Sequence, residues 1–283
     1  MAAIKKTKIT ILCENVVSNL RGIGEHGFSA YIETEKGSYL FDTGSGLGIL
    51  YNARIFGKDL HATKQVFLSH GHYDHTGGLA RVLEVNHRLD VYAHPAVFDE
   101  KFKVTKEQGR IDKEYIGIPY TRSFLERQGA TFQLRKTFQE VAHGIFLTGE
   151  IPRSTDFERG DTRLFVKKGG RFLPDTLLDD QALIINTRKG LVVVLGCAHA
   201  GTINTLQYIA KRMGNSHFLA VIGGTHLGFL EETQLERSIE ILHEMDIKFL
   251  GFSHCTGVMV AQRLAHEFKG NCVYAAVGTT FEF

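Results

Sequence analysis

Six consecutive residues, His70-Gly71-His72-Tyr73-Asp74-His75, constrain this chain more than any other feature. They place four potential metal ligands directly after the apolar run Val66-Phe67-Leu68 and before Thr76-Gly77-Gly78. The apolar run reads as a strand, so the ligands stand on a short loop at its end, where a rigid scaffold can aim several side chains at one point. Imidazole nitrogen together with carboxylate oxygen suits zinc, manganese or iron. The competing reading is a solvated histidine-rich turn in which Asp74 only caps a helix near Gly78. A solvated turn needs no ordered donor set, whereas a metal needs deprotonated ligands converging from fixed backbone positions. The expectation is a binuclear centre for two divalent ions, zinc first, with manganese or iron as alternatives.

The rest of the chain suits an enzyme that surrounds such a centre. At 283 residues with 43% hydrophobic and 23% charged content, it can bury a large core as one domain, 1–283. Its 33 basic and 31 acidic residues give a formal charge of +2, too balanced for a basic field that would hold a nucleic-acid backbone. Cys13, Cys197, Cys255 and Cys272 are scattered without paired spacing, which argues against a disulfide scaffold or a zinc knuckle and for a reducing, cytoplasmic setting. The first fifteen residues read as neither signal peptide nor anchor, and no apolar run approaches a membrane span. The charge balance and composition say nothing about oligomeric state.

Strand and hairpin signals dominate the first half: 7–13, then 28–34 and 38–41 across the turn Glu35-Lys36-Gly37, with a helix at 78–85 and a strand at 89–93. Between 98 and 129 the sequence turns charged and irregular, with interleaved aromatics, and reads as an insertion that serves as a lid or substrate wall. The second half repeats the style of the first. It has strands at 144–148, 182–187, 191–195, 218–222, 249–252 and 272–276, and helices at 203–213 and 231–245, the latter with Leu235, Ile239 and Leu242 on one face. Two similar halves suggest a duplicated two-sheet sandwich with outer helices, an α/β architecture.

Several of these strands end in a group that could coordinate or orient: Asp42 after Phe41, Glu150 after Gly149, Cys197 and His199 after Gly196, His226 after Thr225, and His254 after Ser253. His254 reads as a metal ligand. Side chains two apart can face one way, so Cys197, His199 or both could reach a metal. His226 could bind metal or position substrate. Asp42 reads as a carboxylate behind the ligands that accepts the second ring N–H of a histidine and fixes its tautomer. Arg153 is a candidate for bidentate recognition of phosphate or carboxylate, with Glu150 beside it as a substrate-contacting group. His26 and His94 are undecided.

These motifs resemble the metallo-beta-lactamase superfamily, whose His-x-His-x-Asp-His signature is seen at 70–75, with Asp42 in Phe41-Asp42-Thr43-Gly44 and His254 at further motif positions. More narrowly, Thr148-Gly149-Glu150-Ile151-Pro152-Arg153, Asp179-Asp180-Gln181-Ala182-Leu183, Gly196-Cys197-Ala198-His199-Ala200-Gly201 and Gly223-Gly224-Thr225-His226-Leu227 resemble the dihydropterin-ribofuranosylaminobenzene phosphate synthase-like branch. The resemblance implies a four-layer αββα sandwich with two mixed β-sheets and a two-metal centre. The chain departs from the superfamily pattern where a Gly-His-Thr histidine and a bridging aspartate are usual: Cys197 stands where the aspartate is expected, and Glu150 or His199 replaces the histidine.

In the resulting expectation, His70 and His72 hold the first metal and Asp74, His75 and His254 the second, with Cys197 or His199 sharing or closing the first. Asp74 and His226 take part in catalysis, His226 by stabilising or protonating the reacting group. The activity expected is that of a metal-dependent hydrolase or related transferase on a small anionic, phosphorylated or pterin-like metabolite. The alternatives are iron-dependent redox or oxygen chemistry on the same ligands, and a non-catalytic metal-binding protein whose coordination positions are all closed.

Overall fold

The computed structural model describes residues 2–107 and 109–283. Two seven-stranded sheets face each other. The first runs Thr280–Glu282, Thr7–Cys13, Ser29–Thr34, Gly37–Phe41, Thr63–Phe67, Leu89–Ala93, Ala130–Leu134, antiparallel up to Gly37–Phe41 and parallel beyond it. The second runs Cys272–Tyr274, Leu250–Ser253, Phe218–Gly224, Gly190–Leu195, Leu183–Thr187, Ile145–Leu147, Gln139–Ala142, with its first four strands parallel.

Alternation along the strands explains the layering. In Gly190–Leu195, Val192 and Val194 join the core between the sheets, while Leu191, Val193 and Leu195 face the helices Thr202–Met213, Glu232–Glu244 and Val258–Glu267. In the first sheet Tyr39, Phe41 and Phe67 point to the central core, and Leu40, Val66 and Leu68 point to the opposite side, toward Ile49–Ile55 and Leu79–Val85. Period-two strands buried on both faces thus produce helix, sheet, sheet, helix, the four-layer sandwich of mixed sheets.

The segment 98–129 corrects one expectation. It is regular: Glu100–Glu107 and Arg110–Tyr115 form a hairpin, and the helix Arg122–Arg127 follows. The hairpin pairs with Leu164–Lys168, which pairs with Arg171–Pro174, making a third, four-stranded antiparallel sheet. Hydropathy hides this sheet because Arg110–Tyr115 is exposed along its whole length, while on its partner strand a lysine, Lys101, is the most buried residue. No helix among the described residues is long and apolar enough to cross a membrane.

Candidate metal centre

The site forms where parallel strands of both sheets end at one rim, the place where side chains from successive strand-end loops can converge. Thr63–Phe67 leads into His70, His72 and a single helical turn, Tyr73–Thr76, that carries Asp74 and His75. Gly190–Leu195 leads to Cys197 and His199, Phe218–Gly224 to His226, and Leu250–Ser253 to His254. Asp42, Ala198, His226 and His254 all have left-handed backbone, with φ of 56°, 53°, 57° and 52°; strain of this kind gathers where function requires a side chain to be aimed.

Hydrogen bonds behind the cluster decide which ring nitrogens are bare. Asp42, fully buried, accepts from the Ser69 main-chain N–H at 2.7 Å, the Ser69 hydroxyl at 2.6 Å and His75 Nδ1 at 2.7 Å. The Ser69 hydroxyl has spent its proton on Asp42, so it accepts from His70 Nδ1, 2.9 Å away. Asn15 Oδ1 accepts from His254 Nδ1 at 2.9 Å. His70, His75 and His254 are therefore Nδ1–H tautomers that turn Nε2 lone pairs into the site. The Asp42 carboxylate thus reaches His75 directly and His70 through the Ser69 hydroxyl.

The bare atoms crowd together. His70 Nε2 lies 2.9 Å from His72 Nδ1, His75 Nε2 lies 3.2 Å from both His254 Nε2 and Cys197 Sγ, and His254 Nε2 lies 3.2 Å from Asp74 Oδ2. Zinc–nitrogen bonds of about 2.0–2.1 Å in a tetrahedron put donors roughly 3.3 Å apart, so these separations suit a shared cation. His72 Nε2 and both nitrogens of His199 are buried without a partner. His70, Cys197 and His199 make one converging trio and His75, Cys197 and His254 another, with Cys197 common to both. The donor set fits two ions.

Electrostatics agree. Burial and the neighbouring imidazoles hold His70 and His199 well below the ordinary histidine value, and burial takes His72 down to about 3, so all three are neutral donors at pH 7. Burial works against the Asp74 carboxylate, yet His75 and His254 hold it below the usual carboxylate range. Burial likewise works against a charge on His75, but Asp74 and Asp42 outweigh it and push its pKa up to about 9. The two carboxylates demand positive charge at this point, and a divalent cation supplies it in competition with the proton.

The cluster opens into a cleft of about 200 Å³ lined by His26, Lys103, Arg163, His226 and Phe229 among others. Asp161 accepts three side-chain bonds from Arg163, at 2.9, 3.2 and 2.6 Å, and stands 3.5 Å from His226 Nε2. Burial lowers His226, but Asp161 and Cys255 overcome it and push its pKa up to about 9.

Two expected substrate residues do not reach this cleft's lining. Glu150 meets His94 Nε2 at 3.0 Å and lies near Lys136, and Arg153 donates to the main-chain carbonyls of His199 and Thr176. Arg153 clamps two loops, with one N–H of each terminal nitrogen donated to a backbone oxygen. His199, not Glu150, stands among the other histidines.

Sequence reading quoted Asp179-Asp180-Gln181 only as a motif of resemblance and gave the residues that fix the loops no role. Asp179 accepts from Gly71 N–H at 2.8 Å, Asp180 accepts from Ala200 N–H at 2.8 Å, and Gln181 bonds to the carbonyls of Ser69 and Leu68. One tripeptide thus ties the His70–His72 loop to the Cys197–His199 loop. A Cβ on Gly71 would lie 2.3 Å from the Val97 carbonyl oxygen, so only glycine lets that loop pass. Glu14 accepts from His254 N–H at 2.6 Å and from the Tyr274 hydroxyl at 2.8 Å. The only local signal was the polar pair Glu14-Asn15 at the end of a strand.

Asp42→Asn tests the orienting carboxylate. Asparagine tolerates the left-handed backbone, but its single oxygen cannot serve the three donors that two carboxylate oxygens now accept, and its NH₂ faces one of them without an acceptor. Metal affinity, measured by chelator competition, falls by about 10–100-fold.

Residues 22–208 match the model of the metallo-beta-lactamase superfamily. The chain belongs to the metallo-beta-lactamase superfamily. Over 271 residues, 92% of this chain and 90% of the relative, it is 31% identical to a Methanocaldococcus jannaschii 7,8-dihydropterin-6-methyl-4-(beta-D-ribofuranosyl)-aminobenzene-5'-phosphate synthase. A crystal structure of a metal-dependent hydrolase of the β-lactamase superfamily superposes with a TM-score of 0.83 at 28% identity, covering 98% of this chain and 99% of the other. The fold also matches Zn²⁺-bound PqqB from Methylobacterium extorquens, with a TM-score of 0.54 at 13% identity over 97% of this chain and 99% of that one. As a member of this superfamily, the chain is a metal-dependent hydrolase or related transferase that acts on a small anionic substrate through a two-metal centre.

Proposed function

We propose that this enzyme transforms a small phosphorylated, ring-bearing metabolite of the pterin or aminobenzene type, with zinc as its resident metal and the cytoplasm as its setting. The observation that carries the reading is the cleft itself, in which the ring of bare donors faces a wall bearing Lys103, Arg163 and the exposed ring of Phe229. The Methanocaldococcus jannaschii relative, whose name contains both a pterin and a ribosyl phosphate, supports the same class.

In this reading His70, His72 and His199 would hold the first ion and Asp74, His75 and His254 the second, with Cys197 a member of both converging donor groups. Two bound ions supply Lewis acidity and a water acidified to near-neutral pKa. The protein's residues supply everything else. Asp42 and Ser69 keep the lone pairs of His75 and His70 inward. His226, protonated at neutral pH beside Asp161, faces the cleft as the group that stabilises developing negative charge or delivers a proton to the leaving group. Lys103, on the strand Glu100–Glu107, and Arg163, both in the cleft lining, receive the anion. The hairpin of segment 98–129 is thereby the substrate wall, within a single domain spanning 1–283.

The test is a screen of zinc- and manganese-loaded protein against phosphoesters, lactones and pterin phosphates, followed by Lys103→Ala on the best substrate. Losing one charge-assisted contact raises KM roughly tenfold, about 1.4 kcal/mol, with kcat little changed. Equal turnover of neutral and anionic substrates, with no effect of Lys103→Ala, would count against the reading.

A further inference from the structure

Asn15 touches two histidine rings at once, and its chemistry leaves no freedom in how they are protonated. The main-chain N–H of Gly27 can only donate, and it meets Asn15 Oδ1 at 3.2 Å, so the carboxamide oxygen is on that side. The same oxygen lies 2.9 Å from His254 Nδ1, which must therefore carry a proton. The amide nitrogen, which also can only donate, lies 3.3 Å from His26 Nδ1. That nitrogen of His26 is bare, and the ring proton is on Nε2. His26 Nε2 stands 3.3 Å from Asp74 Oδ2, the same carboxylate oxygen that lies 3.2 Å from His254 Nε2.

One carboxamide thus imposes opposite tautomers on two adjacent rings, whose centroids are 5.3 Å apart. His254 turns a lone pair toward the centre, while His26 turns a proton toward Asp74. We infer that Asn15 and His26 are positioning residues of the metal centre: Asn15 assigns both tautomers, and the Nε2–H of His26 holds the Asp74 carboxylate in its coordinating orientation from the solvent side. This rests on the reading of Asp74 and His254 as ligands of the second metal. His26, Asp74 and His254 also converge closely enough to resemble a metal trio, but a proton on His26 Nε2 makes that ring a donor to the carboxylate instead of a ligand. The loop is anchored for the purpose. Glu25, next to His26, accepts from the Ser45 hydroxyl at 2.8 Å and from Gly48 N–H at 3.0 Å, pinning this stretch to the start of Ile49–Ile55.

The experiment is two-bond ¹H–¹⁵N correlation of the histidine rings in ¹⁵N-labelled protein, with and without zinc, in the wild type and in Asn15→Asp. The wild type is expected to show His26 as Nε2–H and His254 as Nδ1–H. In Asn15→Asp an oxygen replaces the donor, so His26 Nδ1 gains a proton while Nε2–H still faces Asp74, and His254 keeps its Nδ1 proton. A second, independent arm measures zinc affinity: His26→Ala weakens the second ion by about tenfold, the size of losing a hydrogen bond behind a ligand, and His26→Gln, which keeps an N–H donor, restores it. A wild-type His26 that is Nδ1–H, an Asn15→Asp variant that changes thermal stability while His26 Nδ1 stays bare, or a His26→Ala protein with wild-type zinc affinity would each overturn the inference. Should the wild type take up no second zinc, the two-metal reading fails on its own, and the ring tautomers of the zinc-free protein still decide the role of Asn15.

Discussion

Replacing Asp74 by alanine lowers turnover by on the order of 10³-fold or more, the size that accompanies loss of one preorganised electrostatic stabiliser, while the protein keeps its fold. Asp74 is buried among His75, His254 and His26, and among the described residues no other carboxylate approaches these ring nitrogens except Asp42, which is committed to Ser69 and the far side of His75. Without Asp74 the second ion loses its anionic ligand and the site loses the charge that opposes it. The main-chain carbonyl of residue 74, which accepts from Phe28 N–H, survives the change, so circular dichroism and the melting temperature stay close to wild type. His72→Ala behaves in the same way. Full turnover in either variant, measured at saturating substrate and metal, would remove both residues from the site.

Replacing Lys101 by methionine destabilises the protein by about 3–5 kcal/mol, because breaking a buried ion pair strands the partners that remain. The Lys101 ammonium, 1% exposed, donates to Asp179 at 2.8 Å and to Asp175 at 2.9 Å. Burial pulls its pKa down, but the two carboxylates outweigh burial and raise it. A raised folded pKa contributes stability that is fully present below the unfolded lysine value of about 10.4 and is lost only as pH climbs through the higher folded value. The deficit of Lys101→Met in urea denaturation therefore holds steady across neutral pH. Asp179 also holds Gly71 N–H, so the third sheet is wired directly to the histidine loop, and the same variant weakens metal binding. A variant as stable as the wild type would show that this triad carries no such weight.

How much of this was legible without coordinates depends on sequence distance. Strands such as 191–195 and helices such as 203–213 follow from local periodicity, and His70 to His75 declare themselves because four donors occupy six positions. Asp42, Cys197, His199, His226 and His254 were visible as polar groups at the ends of apolar runs, and the fold brings them to one rim. The supports were not visible. Asn15 and Glu14 act on His254 across some 240 residues, Asp179 on Gly71 across 108, and nothing local marks a carboxylate as a partner for a distant backbone N–H. The third sheet escaped because its outer strand is exposed on both faces, so no hydrophobic alternation was there to read. The two carbonyls that Arg153 holds were not legible either, because an arginine after a strand end looks the same whether it awaits an anion or braces the backbone.

Metal content per chain, measured by mass spectrometry on protein purified without chelator or added metal, bears most directly on the two-metal centre. The account predicts about two zinc or manganese ions per chain in the wild type, as a two-metal site requires, and about one in Asp74→Ala. A wild-type protein that takes up no metal even after reconstitution, or an Asp74→Ala protein that still holds both ions, would contradict it.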